Sequence, residues 1–89
     1  MVNKKILWRK PNLIKILSYL SSVKKENIQG ISNNTEIIHS NCSTSLSELK
    51  KIDLVMVEPT ENKRKIFFKL TENGKKVASK INEINELLQ

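Results

Sequence analysis

The apolar residues of this chain change their spacing twice, and those changes dictate the order of elements it can form. From Leu13 to Ile52 they recur mostly at three- and four-residue intervals, the period of helices with one buried face. Over Leu54 to Glu58 and Lys65 to Leu70 they fall in the period of two expected of half-buried strands, and from Val77 to Leu88 the helical interval returns. A chain of 89 residues can bury one core but not two. Helices, a strand pair and a final helix therefore share a single α+β domain over residues 1–89, with no room for a separate catalytic unit.

Leu13, Ile16, Leu17 and Leu20 predict a first helix over about Pro11 to Ser22, with Pro11 where a first turn tolerates a missing N–H. Ahead of it, Val2 to Arg9 reads as a short strand or an extra turn of helix, with Trp8 as a packing residue. Asn27 is placed to cap a short second helix that turns Ile28 and Ile31 inward and ends at Thr35-Glu36, where Ile37 plugs the turn. A third helix, from about His39 to Ile52, carries Cys42, Leu46, Leu49 and Ile52 as one apolar stripe and Ser40, Asn41, Ser43, Thr44 and Ser47 opposite. Two helices joined by a tight turn, the second opening on small polar residues, make a helix-turn-helix pattern.

The alternating segments put Val55 and Val57 on one face and Ile66, Phe68 and Leu70 on another, with a polar turn at Pro59 to Lys63 between them, which predicts a β-hairpin. Thr71 and Asn73-Gly74 open the last helix, where Gly74 is expected to weaken it by about 1 kcal/mol relative to Ala. Val77, Ile81, Ile84 and Leu88 follow at intervals of four, three and four, a narrow seam. Such a seam packs on its own domain or pairs with a second copy. Pairing is the preferred reading, because little else offers itself for burial.

Sixteen Lys and Arg against nine Asp and Glu give a net charge of +7, which points to a polyanionic partner. The charge is blocked. Met1 to Lys25 holds seven basic residues and no acidic one, Glu26 to Asn62 is mildly acidic, and Lys63 to Lys80 holds seven basic residues against Glu72 alone. A fold that brings the two basic blocks to one face makes a phosphate-binding surface.

Several classes are disfavoured. Cys42 is the lone cysteine and His39 the lone histidine, which rules out an intrachain disulfide and leaves no plausible zinc-ligand set, so neither a metal nor a cofactor is expected. Cys42 reads as a small buried hydrophobe rather than a redox sensor, and His39 as a surface or phosphate-contacting residue. No Ser-His-Asp or Cys-His set and no Gly-rich phosphate loop is present, so the chain is not expected to be an enzyme. Apolar runs fall well short of the ~20 residues that cross a bilayer, and no leader-like stretch follows Lys4 and Lys5, so a soluble, cytoplasmic protein is expected.

Two stretches carry a resemblance. Cys42 to Val55 is similar to a recognition helix running into a first wing strand, with Asp53 where a Gly is common; Asp tolerates the left-handed turn needed there. Phe68-Lys69-Leu70-Thr71-Glu72-Asn73-Gly74 is similar to the Leu-Thr-x-x-Gly exit from a wing into the last helix. Together they resemble the prokaryotic winged helix-turn-helix regulators of the MarR, ArsR and PadR type. The resemblance implies a recognition helix in the major groove, served here by Ser40, Asn41, Ser43, Thr44 and Ser47, and a wing on the DNA backbone or in the minor groove, served by Lys63, Arg64 and Lys65. With no Arg or Lys in the third helix before Lys50, base contact is expected to be weak or A·T-directed, with Asn41 on adenine.

The expected function is that of a duplex-DNA-binding transcriptional regulator. Residues 11–70 would bind DNA, and residues 71–89 would dimerise through Val77, Ile81, Ile84 and Leu88. A winged-helix module for protein contact and an architectural DNA-coating protein are the alternatives. The expected partners are double-stranded DNA and a second copy, with no membrane and no small-molecule ligand.

Overall fold

The computed structural model describes residues 6–58 and 65–88, leaving aside the side chains of Ile6 and Trp8. Its elements run α1 (Ile6–Arg9), α2 (Pro11–Ser21), β1 (Glu26–Asn27), α3 (Ile28–Thr35), α4 (His39–Lys51), β2 (Val55–Glu58), β3 (Phe67–Leu70) and α5 (Glu72–Leu87). The part of the undecided N-terminal segment that is described is thus a helical turn. The hairpin's polar connection lies outside the described residues.

The core is built on α2, whose Leu13, Ile16, Leu17 and Leu20 are all buried. Ile31 of α3, Cys42, Leu46 and Leu49 of α4, Val55, Leu70 and Ala78 of α5 close around it. Each such Leu or Ile contributes roughly 1.5–3 kcal/mol over its exposed state, so this single cluster supplies the main driving force for all the elements.

The sheet differs from the expected hairpin. It is three-stranded and antiparallel in the order β1-β3-β2, because Glu26 and Asn27 pair with Phe68 and Phe67. Register also corrects the face assignment. Val55 lies opposite Leu70 and Val57 opposite Phe68, so these four side chains share one face, the one that meets the helices. Ile66 lies before the paired part of β3 and is 53% exposed, so it is not part of that face.

Gly74 is corrected as well. Thr71 caps α5 as expected, its hydroxyl accepting from the Gly74 N–H at 2.9 Å and donating to the Asp53 carbonyl at 2.6 Å. That clasp draws the first turn of α5 against the start of β2, and a Cβ on Gly74 would collide with the Leu54 carbonyl oxygen. The glycine is a condition of this close approach rather than a weakness in the helix.

Candidate nucleic-acid interface

The helix-turn-helix is set by local hydrogen bonds. Asn27 caps α3 by accepting from the Gly30 N–H at 2.8 Å, and Glu36 ends it in the left-handed region at φ 59°. Ser32 then donates its hydroxyl to the Ile37 carbonyl, and the Ile38 carbonyl accepts the Cys42 N–H at 2.9 Å to begin α4. Ile37 is buried as the plug between the helices. Both ends of the turn are thus tied to rigid elements.

On α4 the buried line is Cys42, Ser45, Leu46 and Leu49. Burial pushes the Cys42 thiol above its usual value, which keeps it protonated and fits a packing role. Ser40, Asn41, Ser43, Thr44 and Ser47 are all exposed. They present hydroxyl and amide groups that donate or accept, although Thr44 has its hydroxyl proton on the Ser40 carbonyl at 3.1 Å and retains acceptor capacity only. His39 is exposed at the head of the helix.

The sequence reading missed Lys51. Ser40, Thr44 and Ser47 stand four and three apart, and Lys51 follows after four more on the same helical face, exposed beside Lys50 in the last turn. Continuing the polar face by its own period to the helix end would have found it. Helix α4 runs by a Schellman turn into β2: the Asp53 N–H reaches the Lys50 carbonyl at 3.1 Å and the Leu54 N–H the Leu49 carbonyl at 3.0 Å. Asp53 takes φ 62°, the left-handed conformation expected of it, and accepts from the Asn73 amide at 3.1 Å.

Of the wing residues, Lys65 is exposed two positions before β3, while Lys63 and Arg64 lie outside the described residues. The basic N-terminal block does not simply join them. Lys10 forms an ion pair with Glu48 of α4 at 2.5 Å, which occupies its charge. Lys24 and Lys25 line an open groove with Lys69 and Lys75, where Glu58, Glu72, Glu83 and Glu86 face them and α4 contributes nothing. The fold does bring lysines of both blocks together there, but on a surface that is charge-balanced among the described residues and takes no residue from α4.

The C-terminal seam is divided. Asn82 bridges to α2, accepting from Ser18 and donating to Ser21, so α5 lies along α2, and Val77 and Ile81 pack partly into the domain's own core. The expectation that α5 has little else to bury against is wrong for this half. Ile84 is 45% exposed, Leu87 84% and Leu88 81%, so the far end is the most exposed part of the seam, and Leu87 belongs with it. Leu7, Ile14, Val77, Ile81 and Ile84 line a shallow apolar groove continuous with that end.

No family model and no curated protein matches the sequence. Solved structures do match. The adhesin competence repressor of Streptococcus pyogenes superposes with a TM-score of 0.81 over 94% of this chain and 67% of its own, at 20% identity. NadR, in complex with 4-hydroxyphenylacetate, gives 0.77 over 97% and 70% at 26% identity. A MarR family transcriptional regulator from Silicibacter pomeroyi gives 0.80 over 88% and 55% at 13% identity. The fold is the winged helix of MarR-family regulators, as the sequence resemblance implied. Against two structures of Lactococcus lactis ZitR, the chain spans 60% and 53% of the length. NadR holds a small aromatic acid on this fold, so the fold by itself does not carry the expectation of no small-molecule ligand. Among the described residues no helix is long and apolar enough to cross a membrane.

Proposed function

We propose that the chain is a duplex-DNA-binding regulator of transcription that lays α4 in the major groove and its wing along the backbone. The observation that carries this reading is the exposed, hydrogen-bonding face of α4, from Ser40 through Asn41, Ser43, Thr44 and Ser47, on a winged-helix fold shared with transcriptional regulators. Small hydroxyl and amide side chains let a helix approach base edges closely, and an N-terminal turn without acidic residues does not repel phosphate. Lys50 and Lys51 at the far end of α4, with Lys63, Arg64 and Lys65 in the wing, supply phosphate contacts on either side. A second copy pairs through Ile84, Leu87 and Leu88 and doubles the surface for a site with two half-sites.

The test is a fluorescence-anisotropy titration of labelled duplex DNA across a salt series. Wild type is expected to bind in the micromolar range or tighter at low salt, with a steep loss as salt rises. Lys63→Ala/Arg64→Ala/Lys65→Ala is expected to lower the log–log salt slope by about 2.7, and Lys50→Ala/Lys51→Ala by about 1.8, at roughly 0.9 for each phosphate no longer neutralised. If wild type fails to bind at low salt, the DNA reading is wrong. The exposed α4 face then becomes a protein-contact surface, to be probed by partner capture.

A further inference from the structure

We propose that Ile38 reads thymine: its exposed side chain at the head of α4 packs on the 5-methyl groups of thymines in the major groove and biases the chain toward A·T steps. This rests on the DNA-binding reading and adds to it the base recognised.

Ile38 is the N-cap residue of α4, in extended conformation at φ −60° and ψ 149°, and makes no side-chain cap hydrogen bond. Isoleucine is among the poorest residues for that position, where Ser, Thr, Asp or Asn would satisfy a free N–H of the first turn. The fold does not require an apolar side chain there, because the adjacent Ile37 fills the space between the helices at 5% exposure while Ile38 stands 66% exposed. The sequence thus forgoes a cap and leaves a large β-branched side chain in water at the end of the helix that enters the groove. Departures from local preference with no local compensation are expected where function makes the demand.

The position is fixed as well as exposed. The Ile38 carbonyl holds the Cys42 N–H, and the preceding carbonyl holds the Ser32 hydroxyl, so the residue is anchored on both sides. A β-branched side chain is also stiff about χ1. In helix-turn-helix docking the N-terminal residues of the second helix reach base edges. Around Ile38 the candidate readers are His39, Ser40 and Asn41, and the helix has no Lys or Arg before Lys50. The thymine methyl is the one apolar group that a base pair presents in the major groove, and an exposed aliphatic side chain is its complement. Asn41, one turn on, has the amide that can pair with the adenine edge of an A·T step.

The experiment compares an alternating A·T duplex with its counterpart in which every thymine is replaced by uracil, which removes the methyl groups and keeps the pairing edges. Each is titrated with wild type, Ile38→Ala and Ile38→Val at one salt concentration, after thermal melts show that all three proteins are folded. Wild type is expected to prefer the thymine duplex about fourfold for each methyl covered, from the transfer of one methyl-sized group out of water. Ile38→Val is expected to keep part of that preference. Ile38→Ala is expected to lose it, binding both duplexes as wild type binds the uracil form, with an unchanged salt slope. Equal affinity of wild type for the two duplexes, or a preference that survives in Ile38→Ala, overturns the assignment and leaves DNA binding standing. Absence of binding to either duplex at low salt overturns both.

Discussion

At Gly74, two residue-scale effects of opposite sign compete. In an open helix Ala would gain about 1 kcal/mol over Gly. Here the added Cβ meets the Leu54 carbonyl oxygen, a backbone atom held in place by the Schellman turn and by the Thr71 N–H at 3.1 Å. Backbone cannot swing aside as a side-chain tip can, so the steric term wins, and Gly74→Ala is expected to lose at least about 2 kcal/mol in urea denaturation. A variant as stable as wild type would show that α5 can lift away from β2 at no cost. The Leu-Thr-x-x-Gly pattern was legible in the sequence, but its reason was not, since a glycine's neighbour across the fold leaves no mark beside it in the chain. Asp53 was the easier case, because helix periodicity ends there and its left-handed conformation follows from local geometry alone. Ile37 was placed inside from the sequence, as the plug of the turn, and it is buried. Ile38 was passed over because a single apolar residue beside that plug belongs to no periodic face.

Element by element, α2, α3, α4 and α5 were readable because each spans at least two turns with its own apolar line. Strand β1 was not, since two residues carry no periodicity and their pairing partner lies some forty positions away. What holds β1 is Glu26, whose carboxylate accepts the Tyr19 hydroxyl at 2.9 Å and the Asn27 N–H at 2.9 Å. This ties the strand to α2 just ahead of the Asn27 cap. Burial first, then the hydrogen bond to Glu26 and the charge of that carboxylate, push the Tyr19 phenol above its ordinary value. The sign follows from linkage. The folded state keeps the proton that the unfolded state releases, so stability is full below the ordinary phenol value and falls as pH rises from there to the raised one. Tyr19→Phe is expected to cost about 1 kcal/mol at neutral pH, through the lost bond to a charged acceptor, and to make the alkaline decline shallower. The decline will not vanish, because the Cys42 thiol is raised by burial and acts with the same sign. Urea midpoints from neutral to strongly alkaline pH, measured on both proteins, decide the matter. An unaltered alkaline slope in Tyr19→Phe would remove Tyr19–Glu26 from the account.

Over the whole molecule, the sequence showed how much charge there is and where it lies along the chain, but not where folding carries it. Lys10 is spent on Glu48, and Lys24 and Lys25 turn to a groove that carries as many glutamates as lysines among the described residues, so a net charge of +7 is no guide to the positive face. The same holds for the C-terminal seam, whose first half the domain itself covers. Burying Ile84, Leu87 and Leu88 from each of two copies would yield roughly 10 kcal/mol, at about 2 kcal/mol for each leucine and about half that for Ile84, which its own domain already half covers. Association costs an estimated 4–15 kcal/mol, so the exposed end alone gives at best a marginal dimer. The shallow groove of Leu7, Ile14, Val77 and Ile81 beside it is the further apolar surface that a stable pair would have to cover. Sedimentation of wild type is therefore expected to show a monomer–dimer equilibrium in the micromolar range. Leu87→Lys/Leu88→Lys is expected to be monomeric throughout, with an unchanged melt at high dilution because both side chains are almost wholly exposed in the single chain. In the DNA titration each copy of the double variant should still grip its half-site and forfeit only the gain from pairing, a weaker curve of lower slope rather than no binding. A wild type that stays monomeric at every concentration, or a double variant that still dimerises, would take pairing away from this end of α5 and leave α4 to bind as a single reader.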